Sequence, residues 1–159
     1  MKPLVAYYSR TGKTKFISEK IAQQLGADLC EVLDKKNREG KLGFLGGGKD
    51  ALQEKLTDIE VSRAVDGYDL IIIGTPVWAG KIAPAIRKFM VTNDFKERNV
   101  ALFVTLDGNK PEKSLENMKS AIAAKSIVGE YGFIRPMGDH EKTDEQVKTW
   151  VGQIEQSLK

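Results

Sequence analysis

One cysteine, one histidine and two tryptophans in 159 residues leave few routes to chemistry carried by the chain's own side chains. Cys30 can close no internal disulfide, so an apolar core must hold the fold. At this length such a core removes about two-thirds of the unfolded surface from water, and neither a disulfide nor a metal is needed. His140 has no second histidine and no cysteine partner, which makes it a poor metal ligand. No apolar run approaches the ~20 residues that cross a bilayer. No early segment joins a basic start to a long apolar core. The expectation is one soluble, cytoplasmic domain over residues 1–159, without a membrane partner.

Lys and Arg number 25 against 22 Asp and Glu, for a formal charge of +3 and a sequence pI near 8.9. The basic residues gather in Asp34-Lys35-Lys36-Asn37-Arg38-Glu39-Gly40-Lys41, which reads as a solvated loop. A longer basic stripe with interleaved aromatics would be needed for nucleic acid binding, which is therefore not expected. Cys30 lies in the alternating segment Asp28-Leu29-Cys30-Glu31-Val32-Leu33 and reads as an inert or half-exposed strand thiol.

What is present is an alternation of apolar runs with helical patterns, the signature of a parallel sheet covered by helices on both faces. The runs at about Lys2–Tyr8, Asp28–Leu33, Tyr68–Thr75, Asn99–Thr105 and Ser126–Ile134 predict five strands. Helices are expected at about Lys13–Leu25, Asp50–Leu56, Ala83–Val91, Pro111–Ala124 and Asp144–Leu158. Gly40, Gly43, Gly46, Gly47 and Gly48 predict a loop before the second of these helices. In the last helix Val147, Trp150, Val151, Ile154 and Leu158 recur at helical spacing, so Trp150 reads as core. Right-handed crossovers give a doubly wound, three-layer α/β/α fold of strand order 2-1-3-4-5, with a ligand crevice where the order reverses, between strands one and three.

Three loops border that crevice. The first, Ser9-Arg10-Thr11-Gly12-Lys13-Thr14, sits between a strand and a helix start and reads as a phosphate cradle. Its backbone N–H groups and the positive end of the helix dipole favour an oxyanion, and three hydroxyls can donate further hydrogen bonds. It is no Walker loop, since Tyr7 stands where that motif needs glycine, and no dinucleotide fingerprint, since only Gly12 is present. The second, Gly74-Thr75-Pro76-Val77-Trp78-Ala79-Gly80, places an aromatic ring beyond a buried strand. There an indole offers a stacking face to a flat ligand.

The spacing of Ser/Thr-x-Thr-Gly-x-Thr and Gly-Thr-Pro-Val-Trp-x-Gly along the chain is similar to that of the flavodoxin family. The resemblance implies that the first loop holds the phosphate of flavin mononucleotide (FMN). It also implies that Trp78 flanks the flavin ring, with Thr75, Pro76 and Val77 leading to it, and that the Ala79–Gly80 backbone faces the ring's N5 edge. The third loop, Thr105-Leu106-Asp107-Gly108-Asn109, then meets the pyrimidine edge. It lacks the second aromatic that classical carriers often bring to the outer flavin face, and the basic charge departs from their acidic habit. Arg10 and Lys13 add charge beside the phosphate, and His140 is expected in an exposed loop. The resemblance implies a one-electron carrier that works with redox partner proteins or a small electron acceptor. The alternative is an FMN-dependent reductase that takes hydride from a nicotinamide and passes it to a quinone-type acceptor.

Overall fold

The computed structural model describes residues 1–36 and 40–159. In chain order the elements are β1 (Pro3–Tyr7), α1 (Lys13–Leu25), β2 (Asp28–Asp34), α2 (Gly40–Leu52), β3 (Ile59–Val61) and β4 (Leu70–Trp78). Then follow β5 (Lys81–Ile82), α3 (Pro84–Thr92), β6 (Phe95–Leu106), α4 (Glu112–Ser120), β7 (Ala124–Ile134) and α5 (His140–Ser157).

The two-residue period of a strand sorts the core into two halves. From β4, Leu70 and Ile72 join a cluster with Ile17 and Ile21 of α1 and Trp150 and Ile154 of α5. Ile71 and Ile73 point the other way, to Ile86 and Phe89 of α3 and Met118 of α4. β1 and β6 divide likewise, Val5 and Phe103 on the first side, Leu4, Ala6, Val100 and Leu102 on the second. A strand buried on both faces needs a continuous branched aliphatic run, and Ile71-Ile72-Ile73 is that run.

β2, β1, β4, β6 and β7 pair in parallel in that order, the expected 2-1-3-4-5 arrangement. Two short antiparallel strands raise the described sheet from the expected five strands to seven: β3 on the outer edge of β2, and β5 folded back on β4. With three and two residues, neither is long enough to show a pattern in sequence. β1 has β2 on one side and β4 on the other, so the loops after β1 and β4 diverge and open a crevice at the carboxyl ends of the strands.

The glycine segment corrects the expectation of a loop. Residues 40–52 form α2, and the helix ends at Leu52 rather than spanning Asp50–Leu56. Helix propensity argues against five glycines in one helix. Tertiary packing prevails because Gly47 lies against a bulky ring, Ala51 enters the core, and buried Asp50 takes an ion pair from Lys36 at 2.7 Å. Asn37, Arg38 and Glu39 of the basic run lie outside the described residues. His140 is corrected as well: it opens α5, four residues earlier than expected. Asp139 caps that helix by accepting from the Lys142 N–H at 3.1 Å, and the exposed His140 ring stands 5.0 Å from that of Phe16. Among the described residues no helix is long and apolar enough to cross a membrane.

Candidate functional site

The turn from β1 into α1 leaves backbone donors free. Gly12, at φ 94°, occupies the N-cap position, no side chain caps the helix, and its first turn holds no acidic residue. The N–H groups of that turn have no intrahelical partner by geometry and carry the positive end of the dipole. Ser9 Oγ accepts from the Gly12 N–H at 3.1 Å, which curls the loop around them. Thr14 Oγ1 and Thr105 Oγ1 lie 2.7 Å apart and buried, tying the first loop to the end of β6. Across the mouth, Lys13 Nζ sits 2.7 Å from both carboxylate oxygens of Asp107.

These groups converge on one cleft of about 110 Å³. Its walls are Ser9, Arg10, Thr11, Lys13 and Thr14 from the first loop, Pro76, Val77 and Trp78 from the second, and Thr105, Leu106 and Asp107 from the third. Eleven of the predicted residues thus meet. Thr75 stands behind them, fully buried, accepting from the Ala83 N–H at 3.1 Å and donating to the Pro76 carbonyl at 2.9 Å. Gly12 shapes the cradle from outside the wall. Ala79 and Gly80 form the tip of the β4–β5 hairpin, and Gly108 is an exposed residue of the third loop outside the cleft wall. Asn109 borders a separate, wider cleft of about 540 Å³ with Tyr131, Arg135 and Lys142 on its wall. Tyr131 itself turns inward, its ring 4.6 Å from that of Phe133.

Trp78 is both wall and core. Only 6% of it is exposed. Its ring meets the edge of Tyr8 at 5.5 Å with an interplanar angle of 88°, and Gly47 of α2 lies against it. Pocket volumes of several hundred Å³ are usual for ligands of flavin size. At about 110 Å³ the cleft is smaller than that, so it would take only part of such a ligand, with the rest lying at its mouth.

Sequence reasoning missed the residues that hold the hairpin. Asn117 Oδ1 accepts from the Ile82 N–H at 3.3 Å and from Arg87 Nη2 at 2.7 Å. Lys81 Nζ donates to Glu54 Oε1 at 2.8 Å, and Ser114 Oγ donates to the Gly80 carbonyl at 3.2 Å. The Lys81 hydrogen bond, and then the charge of Arg87, hold the Glu54 carboxyl below the usual carboxylate range. No local pattern signals these residues, because Glu54, Ser114 and Asn117 lie far from residues 80–82 in sequence, in the turn after α2 and on α4. Away from the cleft, Cys30 is fully buried, donates to the Arg63 carbonyl at 3.0 Å, and has its thiol pKa pushed up by burial.

A doubly wound sheet with a hydroxyl-rich, uncapped helix N-terminus facing an aromatic loop at the switch point defines a class of anion-binding α/β proteins. The profile of the flavodoxin domain family matches residues 49–132, and the chain belongs to that family. Among solved structures it is similar to a flavoprotein from Lactobacillus acidophilus NCFM in complex with FMN, at 25% identity. The match covers 94% of this chain and 97% of that one, with a TM-score of 0.71. It is also similar in fold to oxidised flavodoxin 2 from Bacillus cereus, at 17% identity, covering 98% and 99% of the two chains, with a TM-score of 0.61. No curated protein matches the sequence.

Proposed function

We propose that the protein binds FMN in this cleft and carries electrons singly between redox partners in the cytoplasm. The observation that carries the reading is the meeting of an uncapped, hydroxyl-lined helix N-terminus with Trp78 in one cleft. Family membership and the FMN-bound relative support the cofactor.

When bound, FMN supplies the electron-transfer chemistry. The chain's part is to bind and orient. The first-turn N–H groups of α1 and the hydroxyls of Ser9, Thr11 and Thr14 hold the phosphate, with Arg10 and Lys13 adding positive charge beside it. Pro76, Val77 and Trp78 on one side, and Thr105, Leu106 and Asp107 on the other, flank the ring and exclude water. The Ala79–Gly80 peptide would present its polar groups toward the N5 edge, and the third loop, through Thr105 to Asp107, would meet the pyrimidine edge. Thr75 keeps Pro76, and so the approach to Trp78, in place.

One observation favours a second reading, a nicotinamide-driven reductase: the cleft of about 540 Å³ beside Asn109, where Arg135 and Lys142 could receive a second anionic ligand. Stepwise anaerobic reduction separates the two. A carrier passes through a long-wavelength absorption band absent from both end states and reacts slowly with a nicotinamide donor. Direct conversion between end states, with rapid bleaching by that donor, assigns the protein to the reductases.

A further inference from the structure

The hairpin at the tip of the second loop is a two-residue turn. Val77 pairs with Ile82 and Trp78 with Lys81, which leaves Ala79 at φ 50° and Gly80 at φ 73° as the central residues. Positive φ at both positions is the geometry that suits a right-handed strand twist, and glycine or asparagine is its ordinary occupant. Alanine there is held against its own preference. Such a conformation persists where the surroundings over-determine it.

The surroundings are the three anchors of the next three residues. Fully buried Ser114 donates to the Gly80 carbonyl, Glu54 holds Lys81, and Asn117, one helical turn beyond Ser114, accepts from the Ile82 N–H. All three grip the chain after the Ala79–Gly80 peptide. Crowding does not hold that peptide: the nearest atom to a Cβ built on Gly80 is Lys113 Cδ at 3.9 Å. Its orientation is therefore set by the β4–β5 pairing and by hydrogen bonding on its carboxyl side, with open space beside Gly80.

Resting on the FMN reading above, we propose that Ser114 is a positioning residue: by fixing the Gly80 carbonyl it sets which way the neighbouring Ala79–Gly80 peptide faces the flavin N5 edge. α4 thereby tunes the redox potentials without touching the cofactor.

Ser114→Ala tests this, with Ser120→Ala as control, since Ser120 lies exposed on the same helix and bonds only helix carbonyls. In the apoprotein, amide hydrogen exchange at Gly80 and Lys81 should speed up by about three- to tenfold, the factor that one net hydrogen bond sets, and the control should match wild type. With FMN, the ratio of the two one-electron equilibrium constants should shift by a similar factor, while the affinity for oxidised FMN changes by less than about threefold. A folded Ser114→Ala with wild-type exchange at both amides, or with wild-type spacing of the two potentials, overturns the proposal. If wild type binds no FMN, the functional reading falls, and the proposal falls with it even if exchange shows the anchor. Should Ser114→Ala fail to fold, Ser114→Cys keeps a side chain of similar shape that donates only weakly, and it is read by the same two quantities against the same criteria.

Discussion

A Cβ built on Gly47 would lie 2.9 Å from Cζ3 of Trp78, so the backbone of α2 rests directly on the indole that closes the cleft. Any larger residue at this position must push the ring or the helix. Gly47→Val is expected to destabilise the fold by about 1–3 kcal/mol, the usual cost of overpacking, and to weaken FMN binding through the displaced ring. Chemical denaturation together with FMN titration checks it. Unchanged stability and affinity would mean that α2 does not position Trp78.

Lys13 and Asp107 form an ion pair across the cleft mouth, with side chains 36% and 69% exposed. The ammonium serves either the carboxylate or a bound phosphate, and the carboxylate itself repels the phosphate. Asp107→Asn should therefore strengthen FMN binding by about two- to fivefold, the range of an exposed pair worth ~0.5–1 kcal/mol, and the gain should shrink as salt rises. Fluorescence titration at two ionic strengths reads it.

Glu54 sets a pH dependence for the hairpin. Its folded pKa lies below its unfolded one, chiefly through the Lys81 hydrogen bond. The tether is thus fully present above the unfolded value, about 4.3, and is lost as pH falls through the folded one. Wild type and Glu54→Gln should differ in amide exchange at Lys81 and Ile82 near neutrality and converge once the pH has fallen below the folded pKa. A difference that persists under acid would show that the carboxylate is not the source.

The two tryptophans should separate by role. Trp150 is 1% exposed among Phe103, Tyr131 and Phe133, so Trp150→Ala should cost about 3–5 kcal/mol of stability. Trp78→Ala should lower FMN affinity and restore the fluorescence of bound flavin. Denaturation and emission spectra of both variants give the answer, and the opposite pattern would exchange their roles.

How much of this was legible in the sequence follows from which signals are local. Ile71-Ile72-Ile73 and the stripe from Val147 to Ile154 declare a two-sided strand and a one-sided helix by period alone, and the parallel order follows from their alternation. Ser9 to Thr14 and Thr75 to Trp78 were legible because each loop is contiguous. α2 was hidden because what makes Gly47 helical is a ring 31 residues away. The grip of Ser114, Asn117 and Glu54 on the hairpin was hidden for the same reason, each being an ordinary helix or turn residue until the fold brings it to residues 80–82.

The most direct test of the central claim is titration of the apoprotein with FMN and with riboflavin, followed by flavin fluorescence. Riboflavin has the ring but leaves the first-turn N–H groups of α1 and the hydroxyls of Ser9, Thr11 and Thr14 without their anion. The account predicts FMN binding at least about tenfold tighter than riboflavin, with the preference reduced by Thr11→Ala or Ser9→Ala. Equal affinity for the two, or no binding of either, would contradict it.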